Sequence, residues 1–372
     1  MANSSFALAL EIDGDGAHPA AWRRAAHAPA DLLRPARLRT VAEHAERAGF
    51  SLLTLDDSIL PPGQSPNPTG RIGAIERAAF VAAATSVIGV APVASTTYAE
   101  PFHLASALAS IDHVSSGRAG WVVAADHDPA AARAWGRPEV VGDDAVRQEA
   151  IDAVTVARAL WDSWEDDAVI RDVASSRYLN RDRLHYIDFQ GTSYRVRGPA
   201  IVPRPPQGQL VVFAPPGLLP AGAADAILVA GSDVDLVRTA TARAGGPRTF
   251  AEVEIALDTE TASAAYRVAD LDRFGAWPDR SRLRYVGDAA GLVRLLQELA
   301  GVVDGVRLHP LVLDEDLPVL SRFVVPPLTI SRTITRPLPG TTLRATLGLP
   351  RPANQFADVA AVSSDLTRGV TR

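Results

Sequence analysis

The chain has 372 residues, with 37 Lys and Arg against 43 Asp and Glu, a formal charge of −6. Every basic residue is arginine and there is no cysteine, which excludes a lysine Schiff base, a P-loop lysine, disulfides, thiolate nucleophiles and Cys-ligated zinc. A composition that is 47% hydrophobic and 22% charged supports a large core, and its acidic balance lacks the basic footprint of a nucleic-acid binder.

Strand-length apolar runs alternate with helical periodicity. Residues 6–12 (FALALEI) predict a buried strand ended by the glycines of 13–16. Residues 37–49 set Leu38, Val41, Ala42, Ala45 and Ala48 on one helical face closed by Gly49. A second strand over 50–55 leads through a Pro- and Gly-rich loop, 61–70, to a helix over 72–85. A third strand at 87–93 precedes a helix over 101–114 with Pro at its first turn. The fourth strand, 118–124, is followed by a long helix near 144–161. Further strands are predicted at 210–213, 226–229, 252–257 and 305–308, with a helix over 288–299 that takes Asp288 as its N-cap.

Eight such units predict a (β/α)8 TIM-like barrel, a single domain over 1–372. An open doubly wound sheet is the alternative, but no G-x-G-x-x-G follows any strand. Residues 162–209 break the rhythm, first acidic, then aromatic, then Pro-rich. They are expected as an insertion after strand four, at the barrel face where βα loops emerge. No run approaches the roughly 18 apolar residues of a membrane span. Residues 1–16 lack the basic start of a secretory signal, so a cytoplasmic protein without membrane contact is expected.

The sequence has no H-E-x-x-H, G-x-S-x-G, P-loop or EF-hand motif. Its histidines, at 18, 27, 44, 103, 113, 127, 185 and 309, form no pair at metal-ligand spacing, so no metal is expected. More informative are polar clusters past the first four strands, at 13–18, 56–58, 95–98 and 126–128. In a barrel these converge on one mouth and can bind the polar edge and ribityl chain of a cofactor. Turning the chain and capping the next helix is the alternative use of the same residue types.

Six runs, LTLDDS (53–58), VASTTYAEPFHLA (93–105), LASIDHVSSGRAGW (108–121), LWDSWEDDA (160–168), LHYIDFQG (184–191) and VRGPAIVPRPPQGQ (196–209), resemble the bacterial luciferase-like family. Within it they are most similar to flavin-dependent monooxygenases of the nitrilotriacetate and dibenzothiophene-sulfone type. The resemblance implies a homodimeric barrel that uses reduced FMN, supplied by a separate NAD(P)H-dependent reductase, and dioxygen to oxidise a small organic substrate. It implies flavin contacts from Asp57, Thr96, Thr97, Trp121 and Tyr186; Asp126, past strand four, is expected to join them, and His18, past strand one, and His185, in the insertion, are the candidates for acid–base roles. Because the cofactor does the oxygen chemistry, a chain without Cys, Lys or metal can still be an oxygenase.

Two departures from the family pattern stand out. Where these relatives carry Asn and then Thr-Ser after Gly-Trp, this chain has Val122, Val123, Ala124, Ala125 and Asp126. Where they carry a Gly/Ser segment and a helix N-terminus for the flavin phosphate, it has Pro215 and Pro216, with too little room before Ala226 for a full helix. Arg177, Arg181, Arg183 or Arg204 would then have to hold the phosphate. The departures keep two alternatives open: hydride transfer with the deazaflavin F420, and a flavin-poor, non-catalytic binding subunit.

Overall fold

The computed structural model describes residues 6–60 and 70–357. Eight parallel strands close on themselves: β1 (Ala7–Glu11), β2 (Leu52–Leu55), β3 (Gly89–Ser95), β4 (Gly120–Ala124), β9 (Val211–Ala214), β10 (Ala226–Val229), β11 (Thr249–Leu257) and β13 (Gly305–Pro310). Pairing runs in that order, with β10 on β11 and β13 on β1 completing the ring. Each is one of the eight predicted strands. β12 (Leu283–Gly287), absent from the sequence-based reading, pairs with the carboxyl half of β11.

Alternation along each strand builds two cores. Ala7, Ala9, Leu52, Val93, Val122, Val211 and Phe213 face the barrel axis, while Leu8, Leu53, Val90, Trp121 and Val212 face the helices. The outer layer comprises α1 (Pro35–Ala48), α2 (Ala74–Ala84), α3 (Pro101–Val114), α4 (Pro129–Trp135), α5 (Asp143–Asp162), α6 (Val234–Ala244), α7 (Ala264–Asp272), α8 (Ala289–Leu299), α9 (Leu313–Val319) and α10 (Val325–Ile330). Local chemistry sets their ends. Gly49 closes α1 at φ 106°, a left-handed conformation that glycine adopts without a Cβ penalty. Asp288 caps α8 by accepting the Gly291 N–H. Between β9 and β10 there are only turns, in keeping with the short, Pro-rich segment. The loop expected over 61–70 lies, but for Gly70, outside the described residues.

A short helix, α11 (Leu343–Thr346), seals the amino end of the barrel. Leu343, Leu347 and Leu349 pack into the inner core, and the Leu343 N–H donates to Gly117 O.

The insertion is not at the mouth. Residues 162–209 do follow strand four, but they leave from the carboxyl end of α5, which has already carried the chain back down the barrel. They form an αβ connection at the end opposite the βα loops. Gln207 Nε2 there donates to Ala119 O at the foot of β4, and Arg204 bonds Asp162 and Pro352 O. Two small hairpins, β5 (Val169–Asp172) with β6 (Arg177–Leu179) and β7 (Phe189–Gln190) with β8 (Arg195–Val196), decorate it.

Asp112 lies beneath this end, fully buried, accepting from Ala119 N at 3.1 Å and Gln207 Nε2 at 2.5 Å. Burial pushes its carboxyl up to about 6, against the lowering effect of those bonds. A raised pKa means the native state holds this proton at pH values where the unfolded chain, titrating near pH 4, has lost it. The group's contribution therefore falls as pH rises from about 4 to 6. Urea midpoints should show wild type gaining on Asp112→Asn as pH falls through that window. A constant gap would contradict the assignment.

Candidate active site

The inward positions at the carboxyl ends of the strands are charged on one side only. β1 supplies Glu11, β2 Thr54, β11 Glu252 and Glu254, and β13 Arg307 and His309, through the register Glu252↔Arg307 and Glu254↔His309. The Arg307 guanidinium pairs with Glu11, with Glu252 Oε1 at 3.2 Å, and donates to Thr54 Oγ1 at 2.8 Å. His309 Nε2 lies 2.6 Å from Glu252 Oε2, and Arg282 Nη2 lies 3.1 Å from the same oxygen. Arg284 bonds Glu254 at 2.6 Å. Burial pushes the Glu252 carboxyl up, but Arg307, His309 and Arg282 together outweigh it and hold the group ionised, well below the usual range. Burial depresses the His309 imidazole, with Glu252 opposing. The facing wall, from β3, β4, β9 and β10, presents Val93, Val122, Phe213 and Leu228.

Above this floor opens a cavity of about 980 Å³, within the size range of small-molecule and cofactor sites. A strap formed by residues 12–34 covers part of it. Arg24 fixes the strap to Glu315 and Asp270, and His27 pairs with Asp15 within the strap at 2.7 Å. Asp13, on the cavity wall, bonds Arg77 at 2.5 Å. At the rim, Arg71 lies 3.3 Å from Asp13, while Arg280 makes no ion pair or hydrogen bond among the described residues. No group of three potential metal ligands occurs among the described residues.

Of the residues expected from sequence, His18 and Asp57 line this cavity. His18 is buried with both ring nitrogens engaged. Nδ1 accepts from Ala20 N at 3.0 Å, so Nε2 carries the proton and donates to Asp272 Oδ1 at 3.1 Å. That arrangement anchors the strap to α7. Asp57 accepts from Ala74 N at 2.6 Å and Ser58 N at 2.8 Å, tying the strand-two loop to the start of α2.

Thr96 and Thr97 stitch the ends of β3 and β4, the former donating to Ala124 O and the latter accepting from Asp126 N. These three residues stand at the mouth but outside the cavity lining. Trp121 points the other way. Alternation turns Gly120 and Val122 to the axis and Trp121 to the helices, where it is fully buried and donates to Ala94 O at 3.0 Å.

His185 and Tyr186 are carried with the insertion to the opposite end. His185 bonds Glu165 at 2.8 Å and stacks on Phe356, and Tyr186 is exposed against Arg197. The arginines of the insertion go with them: Arg204 pairs with Asp162, and Arg183 with Glu165. The structure therefore does not bring these residues to the cavity with His18 and Asp57. Conversely, sequence reading passed over His309 and Glu252. Their signal was their parity: Glu252 and His309 fall in step with the axis-facing Phe250 and Gly305, and out of step with Val253, Val306 and Leu308, which face the helices.

The luciferase-like monooxygenase model matches residues 16–275. The chain belongs to that family. Among luciferase-like relatives, it is 36% identical over 208 residues to an N-acetyl-S-(2-succino)cysteine monooxygenase of Bacillus subtilis, covering 55% of this chain and 47% of that protein. It is 30% identical over 277 residues to a dibenzothiophene-sulfone monooxygenase of Rhodococcus erythropolis, covering 71% and 56%. The chain thus matches about half the length of these curated luciferase-like proteins. A long-chain alkane monooxygenase structure superposes with a TM-score of 0.80 at 20% identity, covering 94% of this chain and 96% of that one, which shows the shared luciferase-like fold.

Proposed function

We propose that this chain is the oxygenase component of a two-component monooxygenase, taking reduced FMN from a separate NAD(P)H-dependent reductase and oxidising a small organic substrate with dioxygen. The observation that carries this reading is a cofactor-sized cavity at the carboxyl ends of the strands in a chain of the luciferase-like monooxygenase family. A homodimer is the assembly we expect. Among the described residues no helix is long and apolar enough to cross a membrane.

The cavity suits a flavin in size, and its walls divide the work. Trp22, Leu32, Leu60 and Ile72 on its lining offer apolar surface for a ring system, and the strap over the mouth limits water. The turn between β9 and β10 gives no helix N-terminus, and Pro215 and Pro216 lack N–H donors. The rim cations Arg280 and Arg71 are the groups placed to hold a phosphate. When bound, reduced FMN supplies the electrons with which dioxygen is activated. Asp57 would hold the strand-two loop at the cavity wall, and Trp22 on the strap lines the same cavity.

Anaerobic titration with dithionite-reduced FMN, oxidised FMN and F420 tests the reading. Micromolar or tighter affinity for reduced FMN is expected, weakened about tenfold or more in Arg280→Ala by loss of a charge-assisted phosphate contact. His185→Ala should bind as wild type does, because its ring lies at the other end of the barrel. Tighter binding of F420 would favour the deazaflavin reading, whose structural neighbours include an F420-dependent secondary alcohol dehydrogenase with a TM-score of 0.59. No binding of any of the three would favour a non-catalytic subunit.

A further inference from the structure

On the floor of the mouth, His309 is only 4% exposed, yet it lines the cavity. Its Nε2 faces Glu252 Oε2 at 2.6 Å. Glu252 is held ionised by its arginines, and an ionised carboxylate only accepts, so the Nε2 position carries a proton. The ring's other nitrogen, Nδ1, makes no hydrogen bond among the described residues. It is the polar atom that the imidazole can offer to whatever fills the cavity.

The charged groups around the ring are balanced. β11 contributes Glu252 and Glu254, the histidine's own strand Arg307, β1 Glu11, β12 Arg284, and the position just before β12 Arg282. Three carboxylates face three guanidiniums. Asp56, past β2, adds a carboxyl that burial and the nearby Glu11 raise above its usual range. In this setting the desolvated imidazole stays neutral at pH 7, as a base must be. Glu252, fixed by Arg307 and Arg282, orients the ring and stands ready to stabilise a charge on it.

We propose that the Glu252–His309 pair is the proton acceptor of the mouth, with His309 Nδ1 taking a proton from an N–H or O–H group of the bound ligand. The ligand's bond to hydrogen breaks, its electron pair stays on the ligand, and the new N–H bond makes an imidazolium that Glu252 stabilises. The proton later leaves to water through the open cavity. The ligand's identity rests on the oxygenase reading above, whereas the state of the imidazole does not.

Two measurements separate these. In full-length protein labelled with ¹⁵N-histidine, the resonances lost in His309→Gln identify the ring. They should show an unprotonated Nδ1 at pH 7 that titrates below the ordinary histidine range. A protonated Nδ1 at pH 7 overturns the proposal.

The second measurement follows reoxidation of reduced FMN by air in the presence of the protein across pH. Wild type should lose rate on the acid side as His309 protonates. His309→Gln keeps an amide donor for Glu252 but has no basic nitrogen, so it should be slower by about a hundredfold at neutral pH and lack that limb. Glu252→Gln should move the limb to lower pH, since the imidazolium loses its counter-charge. A limb that persists unchanged in His309→Gln overturns the proposal. If wild type has no effect on reduced FMN, the oxygenase reading fails and the tautomer alone decides the histidine's role.

Discussion

Arg307→Met should cost about 3–5 kcal/mol of stability, the usual result of removing one partner from a buried ion cluster. The side chain is replaced by one of similar length, so the loss reads charge rather than volume. Glu11 and Glu252 would be left without their shared cation, and Thr54 without its donor. The sign with pH follows. Deprived of Arg307, both buried carboxyls shift upward and take up protons more readily, so the deficit should shrink as urea unfolding is moved from pH 8 to pH 5. Adding Glu252→Gln to Arg307→Met should recover part of the loss. A deficit under about 1 kcal/mol at pH 8, the worth of an exposed pair, would mean the layer is open to solvent.

Trp121→Ala should be comparably damaging, about 3–5 kcal/mol, because it empties a large site between barrel and helices and removes the donor to Ala94 O. Trp121→Phe keeps most of the volume and should lose less. The flavin expectation and the packing position diverge in the affinity of this milder variant for reduced FMN. With its ring on the outer side of β4, Trp121→Phe should bind within about twofold of wild type, a change of less than half a kcal/mol. A tenfold loss would place the indole in contact with the ligand.

Periodicity carried the barrel. The eight strands were legible because their helix-facing side is apolar and most inward positions are too, as strands buried between an inner and an outer core must be. Charge is confined to inward positions of β1, β11 and β13. β12 was not legible: Leu283–Gly287 has a single buried position and reads as a polar connection. The insertion was found by its composition but assigned to the wrong end. Composition says where a pattern breaks, while the end at which the break emerges depends on whether a helix intervenes, here α5.

The site was legible in part for a related reason. Loop residues such as His18 and Asp57 follow strands directly, so the topology itself carries them to the mouth. Trp121 attracted a functional reading through its motif, although counting parity from Gly120 turns it outward. His309 and Glu252 are 57 residues apart, and nothing local joins them. They meet only through the pairing of β11 with β13, a long-range fact that a single histidine among eight does not announce.

The helix that seals the amino end of the barrel ties completion of the inner core to late synthesis. Until Leu343, Leu347 and Leu349 have been made, the axis-facing side chains of β1, β3, β4 and β9 have no cover at that end. A nascent chain that has already paired β13 with β1 still presents an open apolar tube to water. Such a ring is prone to associate with its like, so a ribosome stalled before Thr342 would hold a sticky intermediate, not a nearly finished barrel. Truncation from the carboxyl side up to that point should accordingly yield aggregates in place of shorter folded barrels.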